Sequence, residues 1–198
     1  MKIGIKQIIL VIVLLTFVGL VQACIGSGTP QVNSPSTAKE ATAAANNNSV
    51  TEATAPEFIG VDIVTNQEIT LSSYKGSVVL LNFVNYGCNA ELNNVVSEQL
   101  LAIRDLKEQR GDFVPVSVFC GCCPPEVLRD YAGQNSFTWP WILDTDYSII
   151  KDYASHLGNY GYPTLVFIDQ EQNIRAVTGY SDLSALSDKL GQILVESN

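Results

Sequence analysis

The strongest constraint on the fold is a strand–helix–strand signal in the middle of the chain. Val78 to Val84 is almost continuously apolar, the composition of a strand covered on both faces. Leu92, Val95, Val96, Leu100, Ile103 and Leu106 then recur at helical spacing and predict one long amphipathic helix. Phe113 to Phe119 is a second apolar run. Two buried strands joined through a helix pair in parallel, by a crossover that lays the helix on the sheet. The chain is therefore expected to be α/β.

The flanking segments extend that core. Phe58 to Val64 and Glu68 to Leu71 alternate like a short hairpin around Asn66-Gln67. Pro124-Pro125 opens a short helix running to about Ala132, since proline is tolerated in a first turn. Asp146 to Ala154 predicts a second short helix, and Trp139 and Trp141 are expected to pack the segment before Asp144. Thr164 to Ile168 reads as a strand, Asp169 to Asn173 as a turn, and Ile174 to Thr178 as its antiparallel partner. Ser181 or Asp182 caps a last helix carrying Leu183, Leu186, Leu190 and Leu194. Together these give a mixed central sheet flanked by helices, with an N-terminal β-hairpin extension.

The N-terminus is of another kind. Lys2 and Lys6 precede the apolar run Ile8 to Val21, which is shorter than the about 20 residues a membrane-spanning helix needs. With the small residue Ala23, this reads as a secretory signal. Val21-Gln22-Ala23-Cys24 is similar to a lipobox, so Cys24 is the expected lipidation site. A plain cleaved signal and an uncleaved anchor are the alternatives. Residues 25–54 are mostly Gly, Ser, Thr, Pro, Ala and Asn, too poor in large aliphatic residues to offset their ordering entropy. They form a flexible tether, and Asn47-Asn48-Ser49 within it is a glycosylation sequon. The organisation is thus 1–24 signal peptide, 25–54 tether and 55–198 domain. The domain is expected outside the cytoplasm and anchored to a membrane, where disulfides persist. Eleven Lys and Arg against twenty Asp and Glu, a net charge of −9, exclude nucleic-acid binding by phosphate neutralisation.

Cysteine is the residue type that carries chemistry here. The domain holds Cys88, Cys120, Cys122 and Cys123. Cys88 follows the first strand and precedes the long helix, where unpaired N–H groups and the helix dipole favour thiolate over thiol. The other three lie just past the next strand. If the two strands are neighbours, all four emerge at one carboxyl edge of the sheet, the edge where open α/β sheets place their sites. Adjacent strands are about 5 Å apart, within the about 7 Å Cα separation that a disulfide tolerates. Cys120 is the first choice to resolve an intermediate on Cys88, while Cys122 and Cys123 could form a vicinal bridge or relay electrons. Four thiols allow three full pairings, and spacing does not select among them. A stabilising disulfide without turnover is a further reading of the same residues.

Ile69 to Gly76, Val79 to Cys88, Leu143-Asp144 and Gly161 to Asp169 together resemble the redoxin branch of the thioredoxin fold. That branch includes the alkyl hydroperoxide reductase and thiol-specific antioxidant family and membrane-tethered thiol-disulfide oxidoreductases. The resemblance implies a thioredoxin-like fold, a nucleophilic Cys88, and a cis-proline at Pro163 facing it. It also implies that Tyr162, Pro163 and Tyr86 shape the substrate site. The expected partners are a thioredoxin-like or other thiol reductant and an oxidised protein or peroxide; no cofactor is implied. The second cysteine of a C-x-x-C pattern would fall at Glu91, so the resolving thiol is expected in the 120–123 cluster. Gly87-Cys88-Asn89-Ala90-Glu91 is similar to the G-C-x-x-E stretch of some single-domain peroxiredoxins, with Glu91 placed to tune Cys88 or exchange its proton. Two other classes use the same residues. One is a copper-binding module built from Cys120, Cys122, Cys123 and His156, soft ligands that suit Cu(I). The other is a redox-inactive scaffold.

Overall fold

The computed structural model describes residues 53–85, 94–159 and 161–196. The chain divides into two units, Met1–Asn46 and Asn47–Asn198, and every described residue belongs to the second. The predicted signal and most of the tether lie outside the described residues, as do Cys24, Tyr86, Cys88 and Glu91. Among the described residues no helix is long and apolar enough to cross a membrane.

Eight strands are present: β1 (Ala53–Thr54), β2 (Ile59–Val61), β3 (Glu68–Thr70), β4 (Val78–Asn85), β5 (Phe113–Cys120), β6 (Trp141–Asp144), β7 (Thr164–Ile168) and β8 (Asn173–Thr178). The helices are α1 (Asn94–Gln109), α2 (Pro125–Gln134), α3 (Ser148–Leu157) and α4 (Leu183–Glu196), with a short 3₁₀ turn at Leu71–Tyr74. Six strands form one sheet in the order β1-β8-β7-β4-β5-β6, and β2 and β3 form a separate hairpin. As the apolar runs required, β4 and β5 are parallel neighbours, with Val78 level with Phe113 and Asn85 level with Cys120. β5 and β6 are also parallel, whereas β4–β7, β7–β8 and β1–β8 are antiparallel. The sheet is mixed, as expected.

Alternation along the central strands builds two cores. Val78, Leu80, Val84 and Phe119 turn to one face, where they meet Val96, Leu100 and Ile103 of α1, Leu128 of α2, and Leu186 and Leu190 of α4. Val79, Leu81, Phe83, Val116, Val118 and Cys120 turn to the other, against Ile149, Tyr153 and Leu157 of α3 and Phe58 and Leu71 from the hairpin region. Helices on both faces of a central sheet give three layers. Trp139 and Trp141 are buried in the first core, as expected, and the Trp139 indole N–H donates to the Ser117 hydroxyl at 2.9 Å. Asn82 breaks the apolar pattern: it is fully buried, and among the described residues neither end of its amide has a hydrogen-bond partner.

Two strands were not anticipated. β1 lies in what read as tether, and its backbone adds to the edge of β8. β6 read only as buried aromatic sequence, but Ser117 to Cys120 pair with Trp141 to Asp144 in register. The hairpin is shorter than expected because Asp62 ends it. That carboxylate is buried and accepts hydrogen bonds from the Val64, Thr65 and Trp141 N–H groups and the Thr65 hydroxyl.

Candidate active site

The carboxyl ends of β4, β5 and β6 meet the start of β7 at one edge of the sheet. Asn85, the last residue of β4, stands beside Cys120 of β5, which in turn stands beside Asp144 of β6. On the other flank, Phe83 is level with Thr164 of the antiparallel β7. The Tyr162–Pro163 peptide that enters β7 therefore lies at this same edge, and it is cis, as expected. The Thr164 hydroxyl donates to the Gly161 carbonyl and closes the turn around that peptide.

The three clustered cysteines have three different surroundings. Cys120 ends β5 on the face covered by α3, with none of its surface exposed. Burial and the nearby Asp144 carboxylate push its thiol up to about 12, partly opposed by the neighbouring Tyr162 hydroxyl. Gly121 then takes φ +136°, a conformation that L side chains rarely adopt, and its N–H reaches the Asp144 carbonyl at 3.4 Å. This bend leaves Cys122 exposed and turns Cys123 into the opposite core, where its thiol donates to the Pro124 carbonyl at 3.4 Å. Cys122 is disulfide-bonded, whereas Cys120 and Cys123 carry thiols. The vicinal bridge considered for Cys122 and Cys123 is thus not formed.

Asp144 links this edge to α3. Its carboxylate accepts hydrogen bonds from the Ile149 and Ile150 N–H groups at 3.4 and 3.0 Å and from the Ser148 hydroxyl at 3.4 Å. It thereby satisfies first-turn donors of the helix. Tyr147, just before α3, holds a left-handed backbone with φ +61°. The Tyr162 hydroxyl, close to Asp144, Tyr147 and the Cys120 sulfur, is pushed well above the usual tyrosine range, with burial as the main cause. The sequence marks Tyr162 and Cys120 separately but gives no signal that they are neighbours. Residues brought near one another across three strands leave no spacing to find.

The copper alternative does not assemble. The Cys122 sulfur is committed to a disulfide, and Cys120 and Cys123 are buried in opposite cores. His156 sits in the last turn of α3, not in a loop as its surroundings suggested. Among the described residues no three His, Cys, Asp or Glu side chains gather as metal ligands.

The profile of one protein family covers residues 51–177 of the chain, and its description is AhpC/TSA family. The chain belongs to the AhpC/TSA family. No match was found among curated proteins. Solved structures place this AhpC/TSA domain in the thioredoxin fold. A thiol:disulfide interchange protein of the thioredoxin family from Chlorobium tepidum TLS is 18% identical, with a TM-score of 0.61 over 72% of this chain and 97% of that one. The thioredoxin domain of a thiol-disulfide oxidoreductase from Bacteroides vulgatus is 19% identical, with a TM-score of 0.55 over 70% and 96%. A pneumococcal exposed lipoprotein thioredoxin from Streptococcus pneumoniae strain TIGR4 is 20% identical, with a TM-score of 0.54 over 69% and 99%. At these identities the likeness is one of fold. Within it, this AhpC/TSA chain carries Glu91 in place of a C-x-x-C partner and a Cys-Gly-Cys-Cys run at the end of the neighbouring strand.

Proposed function

We propose that this protein is an extracytoplasmic, membrane-tethered thiol-disulfide oxidoreductase whose reactive pair is Cys88 and Cys122. The observation that carries the reading is Cys122: exposed, disulfide-bonded, and at the sheet edge shared with the cis Tyr162–Pro163 peptide. Cys120 and Cys123 are not its partners, being thiols. Cys88 is three residues beyond Asn85 and Cys122 two residues beyond Cys120, and those two strand-end residues are in register. Departure from adjacent parallel strand ends supports this pairing over one with Cys24. Cys122 thereby takes the resolving role for which Cys120 was the first choice, because a thiol raised to about 12 supplies almost no thiolate at neutral pH.

The steps follow from thiol chemistry. The Cys88 thiolate attacks a substrate disulfide, forming a mixed disulfide and releasing one substrate thiolate. The Cys122 thiolate then attacks the Cys88 sulfur, releasing the second substrate thiol and leaving the Cys88–Cys122 disulfide. An external dithiol of the thioredoxin-like class reduces that bridge and restores both thiols. Glu91 serves as the proton acceptor or donor beside Cys88. Tyr162 and Pro163, with Tyr86 from the sequence, are the residues assigned to binding the substrate disulfide. The signal-like N-terminus and the similarity of fold to an exposed lipoprotein support the location, with Cys24 as the lipidated residue.

The test is turnover of a cystine-containing peptide and, in parallel, of hydrogen peroxide. The wild-type chain is expected to prefer the peptide. Cys88→Ser abolishes turnover, and Cys122→Ser traps the mixed disulfide on Cys88. Peptide exchange retained in Cys88→Ser, or no turnover of either substrate by the wild type, overturns the reading.

A further inference from the structure

Resting on the exchange reading above, we infer that Tyr147 is a substrate-binding residue of the same site, and that it selects the disulfides of extended polypeptides over small ones. The residue is anomalous in two respects. Its backbone is left-handed, with φ +61°, and its ring side chain is 41% exposed. Bulky residues rarely adopt that conformation; those that do persist only where the surrounding structure holds them, and they cluster at functional sites.

Here the surroundings do hold it. Asp144, at the end of β6, accepts hydrogen bonds from the Ile149 and Ile150 N–H groups of α3. The Asp146 carboxylate accepts from the Ser148 N–H at 3.1 Å, and the Tyr147 carbonyl accepts from the Lys151 N–H at 3.1 Å. The backbone is tied down on both sides, and none of these bonds uses the tyrosine ring. Among the described residues, the other non-glycine residues of positive φ are Asn66, Ser136 and Gln172, all polar and all in connections between elements. Tyr147 alone among them carries an aromatic ring, and it alone stands at the edge of the sheet that holds the site.

Placement gives the ring its task. The sheet runs β7-β4-β5-β6. Tyr147 lies three residues beyond the end of β6, and Tyr162, 38% exposed, lies two residues before β7. Between them come the ends of β4 and β5, which lead in sequence to Cys88 and Cys122. The two exposed tyrosines therefore bracket the proposed reactive pair, from strands three spacings or about 14 Å apart. Thr145, Asp146, Ser148 and Ile149 line the cavity between α3 and the β2–β3 hairpin, whereas Tyr147 in their midst does not. Its side chain is thus turned away from the hairpin, and Tyr147 is among the groups near the Tyr162 hydroxyl. A substrate that meets both tyrosines spans about four residues of extended chain. A small disulfide does not.

The test uses the full-length chain with two substrates, the cystine-containing peptide and bis(2-hydroxyethyl) disulfide. Tyr147→Gly and Tyr147→Asn remove the ring while suiting the left-handed backbone. Both are expected to lower kcat/KM on the peptide about tenfold, carried in KM, as for loss of an aromatic binding contact. Turnover of the small disulfide stays within about twofold of wild type. Tyr147→Phe, which keeps the ring, stays within about twofold on both substrates. The urea midpoint of Tyr147→Gly is at or above that of the wild type, because the substitution relieves strain. Unchanged peptide KM in the Gly and Asn variants, equal losses on both substrates, or a lowered midpoint in Tyr147→Gly each overturn the inference. If Cys88→Ser still exchanges disulfides, the exchange reading fails instead. Binding of the fluorescein-labelled peptide with serine in place of both cysteines, followed by anisotropy, then decides Tyr147 without turnover. Tyr147→Gly should weaken that binding about tenfold, and equal binding by wild type and variant overturns the inference.

Discussion

At the scale of single residues, a four-residue run separates into three chemical fates because of strand alternation and one glycine. Cys120 completes the even-numbered face of β5 with Val116 and Val118. Gly121 reverses the backbone sense, and Cys122 and Cys123 fall on the surface and in the opposite core. That Cys120, Cys122 and Cys123 would lie at the sheet edge was legible from their distance past the second apolar run. Which of them is oxidised was not, because it depends on the positive φ of Gly121 and on burial, and neither leaves a spacing signal. The buried thiol has a consequence for stability. Its folded-state value of about 12 lies above the ordinary 9.0, so between these the unfolded chain releases a proton that the folded chain retains. Stability is therefore full below pH 9 and falls as pH rises towards 12. Tyr74, Tyr153 and Tyr162 are also raised above their ordinary 10.0 and add the same sign at higher pH, so the Cys120 contribution begins at lower pH than theirs. Urea unfolding of the full chain at pH 8 and pH 10 should show this loss, and Cys120→Ser should reduce it. An equal loss in both proteins would assign the effect to other groups.

Secondary elements were recovered where sequence periodicity is long. β4, α1 and β5 follow from two apolar runs and a helical stripe, and α4 follows from its leucines. β6 was missed because its four residues, bounded by Pro140, carry no periodic signal; pairing with β5 makes them a strand. β1 was missed for the same reason, since Ala53 and Thr54 become a strand only by joining β8. The hairpin was legible, but its seating against β6 rests on Gly60. A Cβ at that position would lie 2.5 Å from Cγ2 and 2.9 Å from Cδ1 of Ile142, a residue that is 1% exposed. Ile142 is packed in the α3-side core and bridges to Asp62, so it cannot withdraw freely. Gly60→Ala is therefore expected to lower stability by about 1–3 kcal/mol, the range for overpacking a filled core. The urea midpoint should drop with the m-value unchanged, and an unchanged midpoint would mean that the hairpin moves aside without cost.

On the scale of the whole molecule, membership of the AhpC/TSA family and the thioredoxin-like sheet account for where the site lies. Parallel strands deliver two chain ends side by side, and the antiparallel β7 brings the cis peptide to the same edge. On the proposed reading, this chain differs from a C-x-x-C pattern in the source of its second cysteine. A short-loop C-x-x-C draws both sulfurs from one helix start, whereas here the proposed pair draws them from the ends of two strands, leaving Glu91 in the vacated place. Disulfide mapping of the air-oxidised full chain, digested without reduction after alkylation under native conditions, tests this most directly. The account predicts one linked peptide pair joining Cys88 to Cys122, with Cys120 and Cys123 alkylated only after denaturation. Cys88 recovered as an alkylated free thiol, or Cys122 linked to any other cysteine, would contradict it.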